Sequence, residues 1–190
     1  ATSEEEADKL ILPVEEKIRS VLGDAVYGIN DDSLYTVCFN MLKDNNLKVS
    51  FAESCTGGML AMNMTDIIGS SAVIETSVVT YCNDAKMKYL GVDKDILDKY
   101  TAVSAQVAKQ MAEGQVKSSG ADVAVSVTGV AGPGPDADGN PCGLVYIGIA
   151  DKEGYSESFE FHFAGSKRKI RNHACMTAYN VLRLYLIKKL

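Results

Sequence analysis

This 190-residue chain has little histidine, no closely spaced cysteines and no long apolar run, and each scarcity excludes a kind of function. Its only histidines are His162 and His173, which leaves few candidates for histidine-based catalysis. Its five cysteines are odd in number and never have CxxC spacing, which argues against a disulfide framework and against a zinc site. We therefore expect reduced thiols in a cytoplasmic protein, with no bound metal.

Charge and hydropathy narrow the possible partners. No apolar run approaches the roughly 20 residues that span a membrane, and the acidic residues 1–6 do not resemble a signal peptide. The net charge of −6 argues against a broad nucleic-acid surface, although a few local donors can still bind a small anion. We expect neither a membrane nor a nucleic-acid partner. The missing initiator methionine leads us to expect a trimmed chain or a fragment of a longer protein.

Hydrophobic residues make up 46% of the chain, which is enough for one compact domain with a full core. Runs with strand character occupy residues 49–52, 73–81, 122–127, 143–150 and 155–163, the last two as a hairpin with a half-exposed edge strand. Strands that alternate with helices predict an α/β fold, a three-layer α/β/α sandwich around a mixed sheet. Residues 1–46 are expected to form a helical lead-in packed on a main domain of residues 47–190.

Helical periodicity accounts for most of the remaining chain. The first predicted helix has Pro13 in its first turn and ends at Gly23. Its predicted buried stripe is Val14, Ile18 and Leu22. A second helix is capped by Asp32 or Ser33 and has a one-face apolar pattern. Further helices are predicted at 59–68, 83–90, 93–100, after Ser104, and at 170–190.

The most informative stretch is Glu53-Ser54-Cys55-Thr56-Gly57-Gly58, which follows an apolar strand and precedes a helix. Such a turn places a hydroxyl or a thiol beside free backbone N–H groups at a helix N-terminus, where negative charge is stabilised. Ser54 is a candidate nucleophile that needs a base, and Cys55 is a second candidate. A serine after a strand is more often a helix cap, and a lone thiol in a turn is more often structural.

A lysine supplies the candidate base. The run from Tyr81 to Lys86 leaves a strand and enters a helix that Asn83 can cap, with Lys86 at its third position. A lysine acts as a base only when burial or nearby positive charge lowers its pKa. Tyr81 could relay a proton or orient the lysine. Ligands bind at the carboxyl ends of strands in such sheets, where segments 54–58, 81–86 and 128–134 all lie. This arrangement suits acyl transfer on an ester or amide, although each motif alone is usually structural.

Taken together, these motifs resemble one known family. The motifs are 52–58, Gly69-Ser70-Ser71, 79–86, Leu90-Gly91-Val92, Ala102-Val103-Ser104 and 127–133, in matching order and spacing. They are similar to the C-terminal domain of the competence/damage-inducible protein CinA, which is also found as a stand-alone nicotinamide mononucleotide deamidase. The resemblance covers nearly the whole chain. It includes residues 10–46, which resemble the helical lead-in found when this domain follows a molybdopterin-binding-like N-terminal domain.

The resemblance implies an amidohydrolase without cofactor or metal that converts a small nucleotide, nicotinamide mononucleotide, and water to nicotinate mononucleotide and ammonia. It also implies a homodimer, for which the exposed faces of the first two helices are the expected contacts. Ser54 would be the nucleophile, Lys86 its base and Tyr81 an assisting group. The residues implied for the oxyanion and for substrate binding are Thr56, Gly57, Gly58, Asn83, Thr128, Gly129, Gly132, Lys167 and Arg171.

One departure from the family pattern lies before the last helix. The family commonly has Gly-x-Arg-x-x-[Ile/Val]-Arg, and this chain has Lys167 at the first arginine while Arg171 matches the second. Lysine keeps the charge but loses the bidentate geometry of arginine. Two alternatives therefore stay open. One is a serine–lysine amidohydrolase that acts on another small amide, and the other is a non-catalytic nucleotide-binding module of a larger protein.

Overall fold

The structure is a computed structural model that describes all residues from 1 to 190. The chain divides into two compact units, residues 1–33 and residues 34–190. The smaller unit contains helix α1 (Glu4–Leu22) and a short 3-10 turn (Gly23–Ala25). None of the helices in the chain is both long and apolar enough to cross a membrane.

Helix α1 begins nine residues before Pro13, so the predicted start of this helix was wrong. Ser3 caps it by accepting a hydrogen bond from the Glu6 N–H at 3.2 Å. The acidic residues of the first turn interact favourably with the positive end of the helix dipole. Pro13 lies inside the helix. The predicted end at Gly23 is confirmed. The stripe expected to be buried is exposed instead, by 47–58%, at Val14, Ile18 and Leu22.

The larger unit contains six helices and five strands. The helices are α2 (Leu34–Asp44), α3 (Met59–Thr65), α4 (Asn83–Leu90), α5 (Lys94–Tyr100), α6 (Ala105–Ser119) and α7 (Lys167–Lys189). The strands are β1 (Val49–Glu53), β2 (Ile74–Val79), β3 (Val123–Gly129), β4 (Leu144–Asp151) and β5 (Ser156–His162). A second 3-10 turn spans Ser70–Ala72. Helix α2, which the sequence analysis grouped with the lead-in, belongs to this unit and packs on α7.

The five strands form one mixed sheet in the order β2-β1-β3-β4-β5. Strands β2, β1 and β3 are parallel, whereas β4 and β5 form an antiparallel hairpin with β5 at the edge. The predicted mixed sheet is therefore confirmed. Because the three parallel strands point the same way, their carboxyl ends meet at one edge of the sheet.

Strand alternation sends successive side chains to opposite faces of the sheet. In β1, Phe51 packs in the core shared with α2, α3 and α7, whereas Ala52 packs in the core shared with α4, α5 and α6. Strand β3 repeats this division, because Val125 lies in the first core while Ser126 donates to the Ala108 carbonyl of α6. The sheet is thus covered by helices on both sides, which confirms the three-layer α/β/α architecture.

Candidate active site

Ser54 is the first residue beyond strand β1 and lies at the carboxyl edge of the sheet. Its N–H donates to the Val127 carbonyl of β3 at 3.0 Å, so the turn starts in register with the sheet. Since alternate residues of β1 face α4 and α6, Ser54 points toward the same helical layer as Ala52. Its side chain is nearly buried, with 8% of the residue exposed.

Lys86 reaches Ser54 from helix α4. Its Nζ lies 3.2 Å from Ser54 Oγ and donates to the Thr80 carbonyl at 2.7 Å. The lysine is 1% exposed, although it stands in the first half of a short helix. Two residues 32 positions apart therefore form a hydrogen bond, which is the geometry that activation of a serine by a neighbouring base requires.

The start of α4 differs from the prediction. The N-cap position is Cys82, whose side chain makes no capping hydrogen bond, and Asn83 is the first helical residue rather than the cap. Lys86 is consequently the fourth residue of the helix instead of the third. Asn83 is exposed and does not line the cleft beside Ser54. Its predicted orienting role has no contact in the structure to support it.

Burial shifts the pKa values of Lys86 and Cys55 in opposite directions. Desolvation lowers the pKa of Lys86, and the nearby Cys82 opposes this only in part. A lowered pKa favours the neutral amine of Lys86, which is the form that can accept a proton. Desolvation raises the pKa of Cys55 to about 12, and its side chain belongs to the core. Cys55 therefore remains an un-ionised thiol, and Ser54 is the better nucleophile.

The amides of the turn are divided between internal and free donors. Gly58 N–H donates to the Glu53 carboxylate at 2.9 Å, and Gly57 N–H donates to the Ser54 carbonyl at 3.1 Å. The main-chain N–H groups of Cys55 and Thr56 donate to no other residue, and only Cys55 lines the cleft beside Ser54. The two glycine amides implied as oxyanion donors are thus already engaged. Cys55 and Thr56 supply the donors that remain.

Arg171 contacts the turn from helix α7. Its Nη2 donates to the Thr56 carbonyl at 2.6 Å. A Cβ atom at Gly57 would lie 2.9 Å from the same nitrogen, and Gly57 also has a φ of +64°, so both contact and conformation favour glycine there. Arg171 does not line the cleft beside Ser54. The structure places this arginine under the turn rather than at the position of a substrate clamp.

An open cleft of about 300 Å³ lies beside the Ser54–Lys86 pair. The predicted site residues that line it are Ser54, Lys86, Tyr81, Thr128, Gly129, Gly132 and Lys167. The predicted residues that do not line it are Thr56, Gly57, Gly58, Asn83 and Arg171. Tyr81 is 70% exposed, makes no hydrogen bond to Ser54 or Lys86, and lines the cleft. Thr128 Oγ1 donates to the Ala102 carbonyl at 2.8 Å and anchors the segment before α6.

Four residues at or beside the site were not predicted from the sequence. Ala102, Val103 and Asp136 also line the cleft, and Asp136 holds its own loop through the N–H groups of Asp138 and Asn140. Glu53 is the fourth, and its carboxylate caps helix α3. A carboxylate just before a glycine-rich helix start was the signal that could have identified it. No three histidine, cysteine, aspartate or glutamate side chains lie close enough together to hold a metal ion.

A hydrogen-bonded serine and lysine beside an open cleft, at the carboxyl edge of a mixed sheet, define an α/β domain with a serine–lysine site. The model of the CinA C-terminal domain family matches residues 31–186, and this chain belongs to that family.

Similar proteins and structures agree with this family. A provisionally named competence-damage inducible protein of Caldicellulosiruptor saccharolyticus is 47% identical over 97% of this chain and 45% of its own length. A CinA-like protein of Endomicrobium trichonymphae is 46% identical over 99% of this chain and 44% of its own. The chain thus spans less than half the length of these curated relatives.

Solved structures share the fold. The competence/damage inducible protein CihA of Agrobacterium tumefaciens is 41% identical, with a TM-score of 0.76 over 80% of this chain and 93% of that one. A CinA superfamily protein of Escherichia coli is 31% identical, with a TM-score of 0.75 over 86% of this chain and 98% of that one.

Proposed function

We propose that this domain hydrolyses the carboxamide of nicotinamide mononucleotide to nicotinate mononucleotide and ammonia. The observation that carries the proposal is the 3.2 Å contact between Lys86 Nζ and Ser54 Oγ, in a buried environment that lowers the pKa of the lysine. The family resemblance supplies the substrate. Ser54 and Lys86 are the proposed catalytic residues.

The proposed reaction passes through an acyl-enzyme. Neutral Lys86 takes the proton of Ser54 Oγ as that oxygen bonds to the carboxamide carbon, and the carbonyl oxygen becomes an oxyanion. Of the two turn amides that donate to no other residue, the N–H of Cys55 is the proposed donor to this oxyanion, because Cys55 lines the cleft. The carbon–nitrogen bond then breaks, and Lys86 donates its proton to the nitrogen, which leaves as ammonia.

Water completes the cycle. Lys86, neutral again, takes a proton from water as the water oxygen attacks the ester carbon. The bond between that carbon and Ser54 Oγ breaks, Lys86 returns the proton to Oγ, and the nicotinate carboxyl group is released. Every proton transfer uses the same amine, so the lysine must be neutral at the start of both half-reactions.

The cleft offers contacts for the rest of the nucleotide. Lys167, at the first position of α7, provides a positive charge near the helix N-terminus that suits a phosphate. The segment 129–134 also lines the cleft, and Tyr81 adds an exposed aromatic surface. Arg171 is engaged with Thr56, so the proposal assigns the phosphate to Lys167 alone among the cations of α7.

The test is ammonia release from nicotinamide mononucleotide by purified protein and matched variants. Ser54→Ala should abolish turnover, and Lys86→Met should reduce it by about 10²–10⁴-fold because a general base contributes that much. Lys88→Met is the control, since Lys88 is an exposed lysine on the same helix. A folded wild-type protein that releases no ammonia contradicts the proposal, as does full activity in either active-site variant.

A second candidate is the same chemistry on another small amide. It is favoured by the cleft lining, in which Lys167 is the only lysine or arginine besides Lys86. A panel of amides with and without a ribose phosphate separates the two candidates. Preference for the phosphorylated nucleotide by kcat/KM supports the first, and equal use of the free amide supports the second.

A further inference from the structure

We propose that Glu53 and Arg171 are positioning residues that hold the Ser54 turn from two sides. Glu53 binds the N–H groups that follow the turn, and Arg171 binds a carbonyl within it. The kinetic part of this inference rests on the proposed amidase function. The structural part concerns the turn itself and can be tested without any substrate.

The Glu53 carboxylate is fully buried and all of its hydrogen-bond partners are main-chain amides. It accepts from Gly58 at 2.9 Å, from Leu60 at 3.2 Å and from Ala61 at 3.0 Å, and its exposed fraction is 0%. A buried carboxylate is costly unless hydrogen bonds compensate it, so these three contacts are strong constraints. They join the end of β1 directly to the first turn of α3, across the segment that carries Ser54.

Arg171 fixes the middle of the same segment. The contact between its Nη2 and the Thr56 carbonyl is 2.6 Å long and joins residues 115 positions apart. Its guanidinium also lies against Gly57, where a Cβ atom would come within 2.9 Å. With the carbonyl of Thr56 held from α7, the peptide units on either side of it have little freedom to rotate.

The two anchors leave the reacting groups between them. Ser54 Oγ and the free amides of Cys55 and Thr56 lie in the stretch bounded by Glu53 and Gly58. Strand alternation also directs the Glu53 carboxylate to the face of the sheet opposite Ser54 and Lys86. The charge can therefore hold the turn without forming an ion pair with Lys86, which would oppose the neutral amine.

The substrate-independent test is amide hydrogen exchange in wild type and in Glu53→Gln. The glutamine NH₂ would face N–H donors, so at least one of the three contacts is lost. We expect the amides of Gly58, Leu60 and Ala61 to exchange at least about tenfold faster in the variant, through local opening, while strand amides keep wild-type rates. Unchanged exchange at these three amides would overturn the role of Glu53.

The kinetic test separates positioning from substrate binding. Glu53→Gln and Arg171→Met should lower kcat by roughly 10- to 100-fold, because small displacements of reacting groups have effects of this size, with KM within about threefold. Arg171→Lys should recover part of the loss. Glu113→Gln and Arg19→Met, both exposed changes on other helices, are the matched controls. A change confined to KM in the Arg171 variants would overturn positioning and favour a substrate contact.

The two proposals fail in different ways. If the wild-type protein is inactive but Glu53→Gln exchanges faster, the amidase proposal is wrong and the positioning role of Glu53 stands. If the wild-type protein is active but the variants have unaltered exchange and unaltered kcat, the positioning proposal is wrong and the amidase proposal stands. If Glu53→Gln does not fold, amide exchange of Gly57 and Gly58 is measured in Arg171→Met, which is expected to fold because Arg171 is only half-buried. Faster exchange at these two amides supports the structural part, and unchanged exchange contradicts it.

Discussion

Glu53 and Lys86 are both buried at the carboxyl edge of the sheet, on opposite faces of it, yet their surroundings differ. Three main-chain amides surround the Glu53 carboxylate, and they compensate a charge. Lys86 contacts one carbonyl and one hydroxyl, and no carboxylate forms an ion pair with it. Three hydrogen bonds to a buried carboxylate hold a charge in place, whereas burial with two hydrogen bonds and no ion pair favours the neutral form of the amine. The first environment supports the turn, and the second permits proton transfer.

The largest expected effect of this difference is on the pH dependence of turnover. Because burial lowers the pKa of Lys86, kcat/KM should rise about tenfold per pH unit below that pKa and level off above it. The plateau should begin below the ordinary lysine value of 10.5. The measurement is a pH–rate profile with Lys88→Met as control. A profile with no rising limb at any pH at which the protein stays folded would contradict the role of Lys86 as base.

The second expected effect is a contrast in stability. Glu53→Gln should lower the free energy of unfolding by about 1–3 kcal/mol, because it leaves buried amides without their acceptor. Lys86→Met at pH 7 should change it by no more than about 1 kcal/mol, because removing a buried amine that has no ion-pair partner offsets the lost hydrogen bonds. Urea denaturation measures both. Equal losses in the two variants would remove the distinction between the two environments.

The contribution of Lys86 to stability should also depend on pH. The folded pKa of Lys86 is lowered, so between that value and 10.5 the unfolded chain binds more protons than the folded one. The contribution of Lys86 to stability should therefore improve as pH rises through this window. In Lys86→Met this improvement should be absent.

The smallest expected effect comes from Thr128, which lies on the Lys86 face of the sheet. Thr128→Val removes the 2.8 Å hydrogen bond to the Ala102 carbonyl, so we expect a loss of about 1 kcal/mol in stability. Turnover should fall by less than about tenfold, since the segment that moves only borders the cleft. Ser126→Ala removes a similar bond deeper in the same layer and should leave turnover unchanged. Equal effects of the two variants on turnover would show that Thr128 acts only through stability.

Much of the fold could be predicted because its signals are local. Helix α4 ends at Leu90 as predicted because Gly91 takes the left-handed conformation that a side chain disfavours. Ser104 caps α6 by accepting from the Val107 N–H, also as predicted. The error at α1 arose because Pro13 was given more weight than the capping signal at Ser3 and Glu6.

Local sequence patterns could predict only part of the candidate site. Its turn, with a serine before paired glycines, is a local pattern, and Gly57 and Gly58 both have the positive φ that the pattern indicates. The capping role predicted for Asn83 was wrong, because the N-cap of α4 is one residue earlier, at Cys82. The prediction for Arg171 came from a family pattern, and its contact with Thr56 depends on where α7 lies.

The sequence by itself determined the α/β alternation, the Ser54 turn and the lysine at the start of a helix, because turns, caps and strand patterns depend on neighbouring residues. Only the tertiary structure decided that Lys86 lies 3.2 Å from Ser54, that Glu53 binds three amides and that Arg171 supports the turn. These contacts follow from sheet register and helix packing, which join distant segments. The lowered pKa of Lys86 has the same origin, since burial is a property of the packed molecule.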